Sequence, residues 1–142
     1  MSPDPSLVDR LPHRPPMRLV EEIVELVPGE SARARRVARP GDWYFQGHFP
    51  GDPVVPAIVL VELLAQTGGL AACGPSTAAS GQALRVAAFG GFKFPGAARP
   101  NATLEASARV VARLGGMIKI EGEVTADGQA VASGTVTLAE VR

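Results

Sequence analysis

Apolar residues follow two rhythms along this chain. From Ala57 to about Cys73 they fill nearly every position, and the polar exceptions are Glu62, Gln66 and Thr67. A helix that is apolar on almost every face cannot lie on a surface and has to be wrapped. From residue 102 onward the period becomes two. Leu104, Ala106, Ala108, Val110, Ala112 and Leu114 alternate with Thr103, Glu105, Ser107, Arg109, Val111 and Arg113, which predicts a long half-buried strand. The same alternation returns on both sides of Asp127-Gly128, a two-residue hairpin signal. Ile118, Ile120, Gly122 and Val124 face inward on one arm, and Ala130, Ala132, Gly134, Val136 and Leu138 on the other.

The first half is less regular. Residues 1–16 hold five prolines and read as an extended arm with little regular structure. "MRLVEEIVELVPGE" (17–30) reads as a strand ending at Pro28-Gly29, and "SARARRVAR" (31–39) as an exposed strand stopped by Pro40-Gly41. "GPSTAASG" (74–81) reads as a loop. One apolar helix followed by a run of antiparallel strands is an α+β layout in a single domain spanning 1–142, with antiparallel sheet wrapped around the helix.

Composition narrows the partners. Fourteen Lys plus Arg balance fourteen Asp plus Glu, so no global field marks a nucleic-acid or lipid binder, and an anionic partner needs a local patch. The longest apolar run, Val54 to Cys73, is broken by Pro56, Glu62 and Gln66, which argues against a membrane span. Cys73 is the only cysteine, which fits a reducing, cytoplasmic setting and a small core residue. Two histidines and one cysteine so spaced do not make a zinc site, and the chain lacks a phosphate-cradling or dinucleotide-binding glycine loop. No metal and no cofactor is expected.

The chemistry gathers in "GHFPGDPVVPAIVLVELLAQ" (47–66). His48 is framed by Gly47, by Phe49-Pro50-Gly51 and by Pro53 and Pro56, so its imidazole is presented rather than left mobile, and histidine is the commonest general base. Glu62 sits in the apolar helix, where lost hydration favours the protonated form that a general acid needs. Pro56 suits the first helical turn, and Ala57 then offers an N–H at the positive helix end, a site for a developing oxyanion. Base, acid and oxyanion donor together describe proton abstraction beside a carbonyl coupled to loss of a hydroxyl. Each element also has a purely structural reading, a loop histidine or a Glu satisfied by Gln66 four residues on. His13, in "LPHRPP", lacks comparable framing and reads as structural.

"LPHRPPMRLVEEI", "FQGHFPGDPVVPAIVLVELLAQTGGL" and the closing strands resemble the (3R)-hydroxyacyl-acyl carrier protein dehydratase family of bacterial type II fatty-acid synthesis, from about Leu11 to Val141. That resemblance implies the hot-dog fold, a sheet around a central helix. It implies His48 and Glu62 as the catalytic pair, meeting across a homodimer interface, with dimers able to build a larger assembly. The Ala57 N–H would polarise the thioester carbonyl, and Phe49, Pro56, Phe92 and Phe94 would line the acyl tunnel. The partner is acyl carrier protein bearing a phosphopantetheine-linked acyl chain, with Lys93 and Arg99 as its docking cations.

The chain departs from the family pattern at Ala57, where glycine is usual, and at Phe89-Gly90, Pro95-Gly96 and Pro100-Asn101-Ala102. These changes bear on chain length and carrier identity. Alternatives are the same dehydration in a polyketide or aryl-polyene pathway, a non-catalytic acyl-binding protein of this fold, and a thioesterase.

Overall fold

A computed structural model describes residues 3–73 and 84–140. In chain order the regular elements are β1 (Glu22–Val27), β2 (Ser31–Val37), α1 (Ala57–Ala72), β3 (Leu84–Lys93), β4 (Thr103–Leu114), β5 (Met117–Ala126) and β6 (Gln129–Glu140), with short 3-10 segments at Pro5–Arg10 and Trp43–Phe45. All six strands form one sheet in the order β1-β2-β4-β5-β6-β3, and every neighbouring pair is antiparallel. The loop expected at 74–81 lies outside the described residues. Among those residues no helix is long and apolar enough to cross a membrane.

The helix is wrapped as its composition requires. From Val59 onward α1 is buried except at Val61 and Glu62. The sheet's inner face is rich in alanine (Ala32, Ala34, Ala106, Ala108, Ala132), which lets helix and sheet approach closely. The approach is tightest at Gly122. A Cβ there would lie 2.1 Å from the Ser107 carbonyl oxygen and 2.8 Å from Leu64 Cδ1. Both helix ends are tied down. The Pro56 carbonyl accepts from Val59 and Leu60 at the start. At the far end the Arg113 guanidinium donates to the Ala72 carbonyl (3.0 Å) and the Gly29 N–H to that of Cys73 (2.9 Å), which satisfies orphan carbonyls and sets a cation at the negative end.

Several expectations are corrected. The proline-rich arm is not extended: Pro5–Arg10 winds into 3-10 helix, with the Asp4 carboxylate accepting from the Ser6 N–H at 2.8 Å. Proline suits the first turn of a helix, and Leu7, Val8 and Leu11 give the segment an apolar side that packs on the core. β2 is not exposed on both faces, because Ala32 and Ala34 are buried while Arg33 and Arg35 point outward. The β4 alternation holds through Val110, which packs on the core. A register shift between Val110 and Ala112 leaves Ala112 and Leu114 in solvent. On β6 the extra residue of a bulge turns Val131 inward and Ala130 outward.

β3 had no counterpart in the sequence pattern. It is a ten-residue edge strand exposed along most of its length, including Val86, Ala87, Ala88 and Phe89, so no buried face imprints a period of two. The hairpin at Asp127 (φ +49) and Gly128 (φ +84) forms where Asp-Gly predicts it.

Candidate active site

His48 is fixed by its own loop. Gly47 (φ +76) and Gly51 (φ +77) take backbone conformations that favour glycine, the His48 N–H donates to the Phe45 carbonyl, and the Val54 N–H donates to the His48 carbonyl. The ring stacks on Phe49 with centroids 4.1 Å apart. Its Nδ1 lies 3.1 Å from the Val54 carbonyl oxygen. A carbonyl can only accept, so Nδ1 carries the hydrogen and the neutral ring keeps a lone pair on Nε2. That is the tautomer a base needs.

Glu62 is only half-buried, with 29% of its side chain exposed, so it is not sealed in apolar packing as the helix composition suggested. Its Oε2 accepts from Gln66 Nε2 at 2.9 Å, which realises the shared face of positions four apart. Gln66 is 1% exposed. Its other amide hydrogen goes to the Met17 carbonyl (2.8 Å), and its Oε1 accepts from the Leu19 N–H (2.8 Å). One buried amide therefore ties the segment before β1 to the helix and to the acid.

Beside Glu62 lies a cavity of about 410 Å³, walled by Leu11, Ala65, Gly69, Leu84, Val86 and Leu138, with His13 and Gln66 next to the acid. Phe49, Pro56, Phe92 and Phe94 do not line it. Phe92 instead packs on Gly134 and stacks with Phe94 at 6.0 Å. Ala57 opens the helix as expected, with Pro56 as its cap, and among the described residues its N–H has no partner.

His48 and Glu62 share no contact within one chain. The Glu62 cavity is bounded by the first residues of β3 (Leu84, Arg85, Val86). The His48 loop is joined through the Val55 N–H to the Ala98 carbonyl at 2.8 Å, beyond that strand's other end.

The two cations expected to dock a carrier differ in setting. Arg99 forms a 2.5 Å ion pair with Asp52, both well exposed, whereas Lys93 makes no ion pair among the described residues and borders an open groove with Arg33 and Arg109. The arginines of β2 and just beyond it are largely neutralised in place: Arg33 and Arg35 share Glu105, Arg36 meets Asp42, and Arg39, past the strand's end, meets Glu21.

The residue that sequence reasoning undervalued is His13, whose Nε2 lies 3.4 Å from Glu62 Oε2. No periodicity could place a histidine from a proline-pinned arm against a helix 49 residues on. Only the folded arm does.

Residues 11–135 match the FabA-like domain. The chain belongs to that family. A protein of Roseiflexus sp. (strain RS-1) named 3-hydroxyacyl-[acyl-carrier-protein] dehydratase FabZ is 37% identical over 130 residues, covering 91% of this chain and 90% of the relative. A FabZ of the same name from Roseiflexus castenholzii is 36% identical over the same shares. Among solved structures, the dehydratase heterocomplex ApeI:P from Xenorhabdus doucetiae superposes with a TM-score of 0.75 at 15% identity, over 95% of this chain and 91% of that one. At such identity the likeness speaks for the fold, and the fold is the hot-dog.

Proposed function

We propose that this protein removes water from a (3R)-3-hydroxyacyl thioester on acyl carrier protein, giving the trans-2-enoyl thioester, as a cytoplasmic step of fatty-acid synthesis. The names of its FabA-like relatives support the reaction. His48 takes the C2 proton on its free Nε2, and Glu62 gives a proton to the departing C3 hydroxyl. The unpaired Ala57 N–H stabilises charge on the thioester oxygen.

The observation that carries the arrangement is the edge strand β3. It is long, apolar in its middle and, among the described residues, the last strand of the sheet, and a sheet edge is a template for pairing with another strand. The opposite edge, β1, is shorter, kinked by a register shift and lined with Glu22 and Glu25. Pairing β3 antiparallel with its own copy across a two-fold axis reverses the strand, whose span is roughly 30 Å. The end near one protomer's His48 loop then meets the end near its partner's Glu62 cavity. A homodimer thus offers two composite sites where a single chain has two half-sites.

Mixing His48→Ala protomers with Glu62→Gln protomers tests this reading. Each variant alone should lose about 10²–10⁴-fold in rate, and exchanged heterodimers should regain one competent site. No recovery despite proven subunit exchange would count against a shared site, and near-full activity of either variant alone would remove the mechanism.

A further inference from the structure

Two side chains beside Glu62 have more order than a cavity wall requires. Gln66 spends every hydrogen-bonding position: its oxygen accepts from the Leu19 and Val20 N–H groups, and its nitrogen donates to the Met17 carbonyl and Glu62 Oε2. Its orientation is therefore unambiguous, because its oxygen must face a backbone donor and its nitrogen a backbone acceptor. His13 Nε2 approaches the same Oε2 at 3.4 Å. His13 Nδ1 is enclosed without a partner among the described residues. A hydrogen placed on Nδ1 would be a buried donor with nothing to accept it. The neutral ring accordingly carries its hydrogen on Nε2, toward the acid, and leaves Nδ1 as a bare acceptor. An apolar residue at 13 would avoid burying that nitrogen, so packing alone gives no reason for histidine here.

We propose that His13 is a positioning residue for Glu62, an inference that rests on Glu62 being the acid. Two N–H groups, from Gln66 and His13, converge on Oε2. A proton on Oε2 would point into one of these donors, so the carboxyl proton is held on Oε1, the oxygen with no donor among the described residues. The arm and the helix together thus decide which oxygen delivers the proton, and the carboxyl cannot rotate to exchange them without breaking both contacts. The 3.4 Å separation is longer than a relaxed N–H···O bond, so the His13 contact is the weaker of the two and the Gln66 bond at 2.9 Å the stronger.

The test compares His13→Ala and His13→Gln in the native background and in Glu62→Gln, with steady-state kinetics on a hydroxyacyl thioester and melting curves for each. His13→Ala should lower kcat by about 2–10-fold, the worth of a hydrogen bond between neutral groups, with KM little changed. His13→Gln keeps an N–H donor near the same reach and should recover most of the loss. In the Glu62→Gln background His13→Ala should cost nothing further, because the residue acts through the acid. An equal loss in both backgrounds, or a raised KM at unchanged kcat, would overturn the proposal and leave His13 a structural or substrate-wall residue. Full activity of Glu62→Gln alone would instead overturn the reading of Glu62 as the acid, so the two failures are distinct.

Discussion

Replacing Gln66 with leucine separates the site's architecture from its chemistry. The substitution keeps the approximate volume and removes every polar contact of the side chain. The Leu19 N–H, now paired at 2.8 Å in a fully buried setting, would lose its acceptor. The Met17 carbonyl, part-buried, would lose its donor, and Glu62 Oε2 would lose its shorter contact. An unsatisfied buried donor costs about 1–3 kcal/mol and a partly hydrated acceptor less. Leucine regains some of this through its own apolar burial. A net loss of about 2–3 kcal/mol follows, equivalent to a drop of roughly 10 °C in Tm for a chain of this size. The measurement is thermal unfolding at fixed protomer concentration, since association shifts apparent stability, with kcat measured well below the new Tm. The rate should fall even where the protein is fully folded, because the acid has lost its anchor. A variant melting within about 2 °C of the parent with unchanged kcat would refute the view that this amide joins arm, helix and acid.

Gly122→Ala should fail to fold or melt far lower, because the added methyl meets backbone of β4 rather than a flexible side chain; overpacking costs about 1–3 kcal/mol even where neighbours can yield. Gly41→Ala, which meets nothing within 4 Å, is the control and should melt near the parent. Tyr44 is the only tyrosine, and burial, reinforced by its hydrogen bond to Asp42, pushes its hydroxyl up to about 12. The folded protein holds this proton more tightly than the unfolded chain, so the associated stability is complete below pH 10, the ordinary tyrosine value, and is lost as pH rises through about 12. Phenolate absorbance should show one late transition, and a midpoint at the ordinary value would contradict the buried cluster with Arg36 and Asp42. Charge reversal at Lys93 together with Arg99 should raise KM for carrier-bound substrate, in a salt-sensitive manner, and leave a short carrier-free thioester unaffected. Loss of carrier-bound turnover on reversal of Arg33 and Arg35 instead would move docking from the Lys93/Arg99 pair to the β2 arginines.

What could be read in advance followed from burial. α1 and the inner faces of β5 and β6 announced themselves because each buries one continuous set of side chains, and burial is what imprints a period on sequence. The errors have the same cause in reverse. β3 carries no period because most of its residues are exposed on both faces, and a strand without a buried face looks like any apolar loop. Ala130 and Val131 were exchanged by one extra residue, since a bulge inverts the inward set beyond it.

The site divides along a similar line. His48, Ala57 and Glu62 stand out as candidates in the sequence because glycine, proline and a lone acid each break a local rule, and local rules are what a sequence displays. His13 breaks none. Its meaning arises only when the arm folds over the second turn of α1, a contact between distant segments that no local pattern encodes. The same holds for the relation of His48 to Glu62. Each lies in a well-specified local structure, but the geometry that would join them belongs to a strand edge and a symmetry axis. A sequence of one protomer states such a pairing only as an unpaired apolar edge, and here that edge runs from the cavity of one half-site toward the loop of the other.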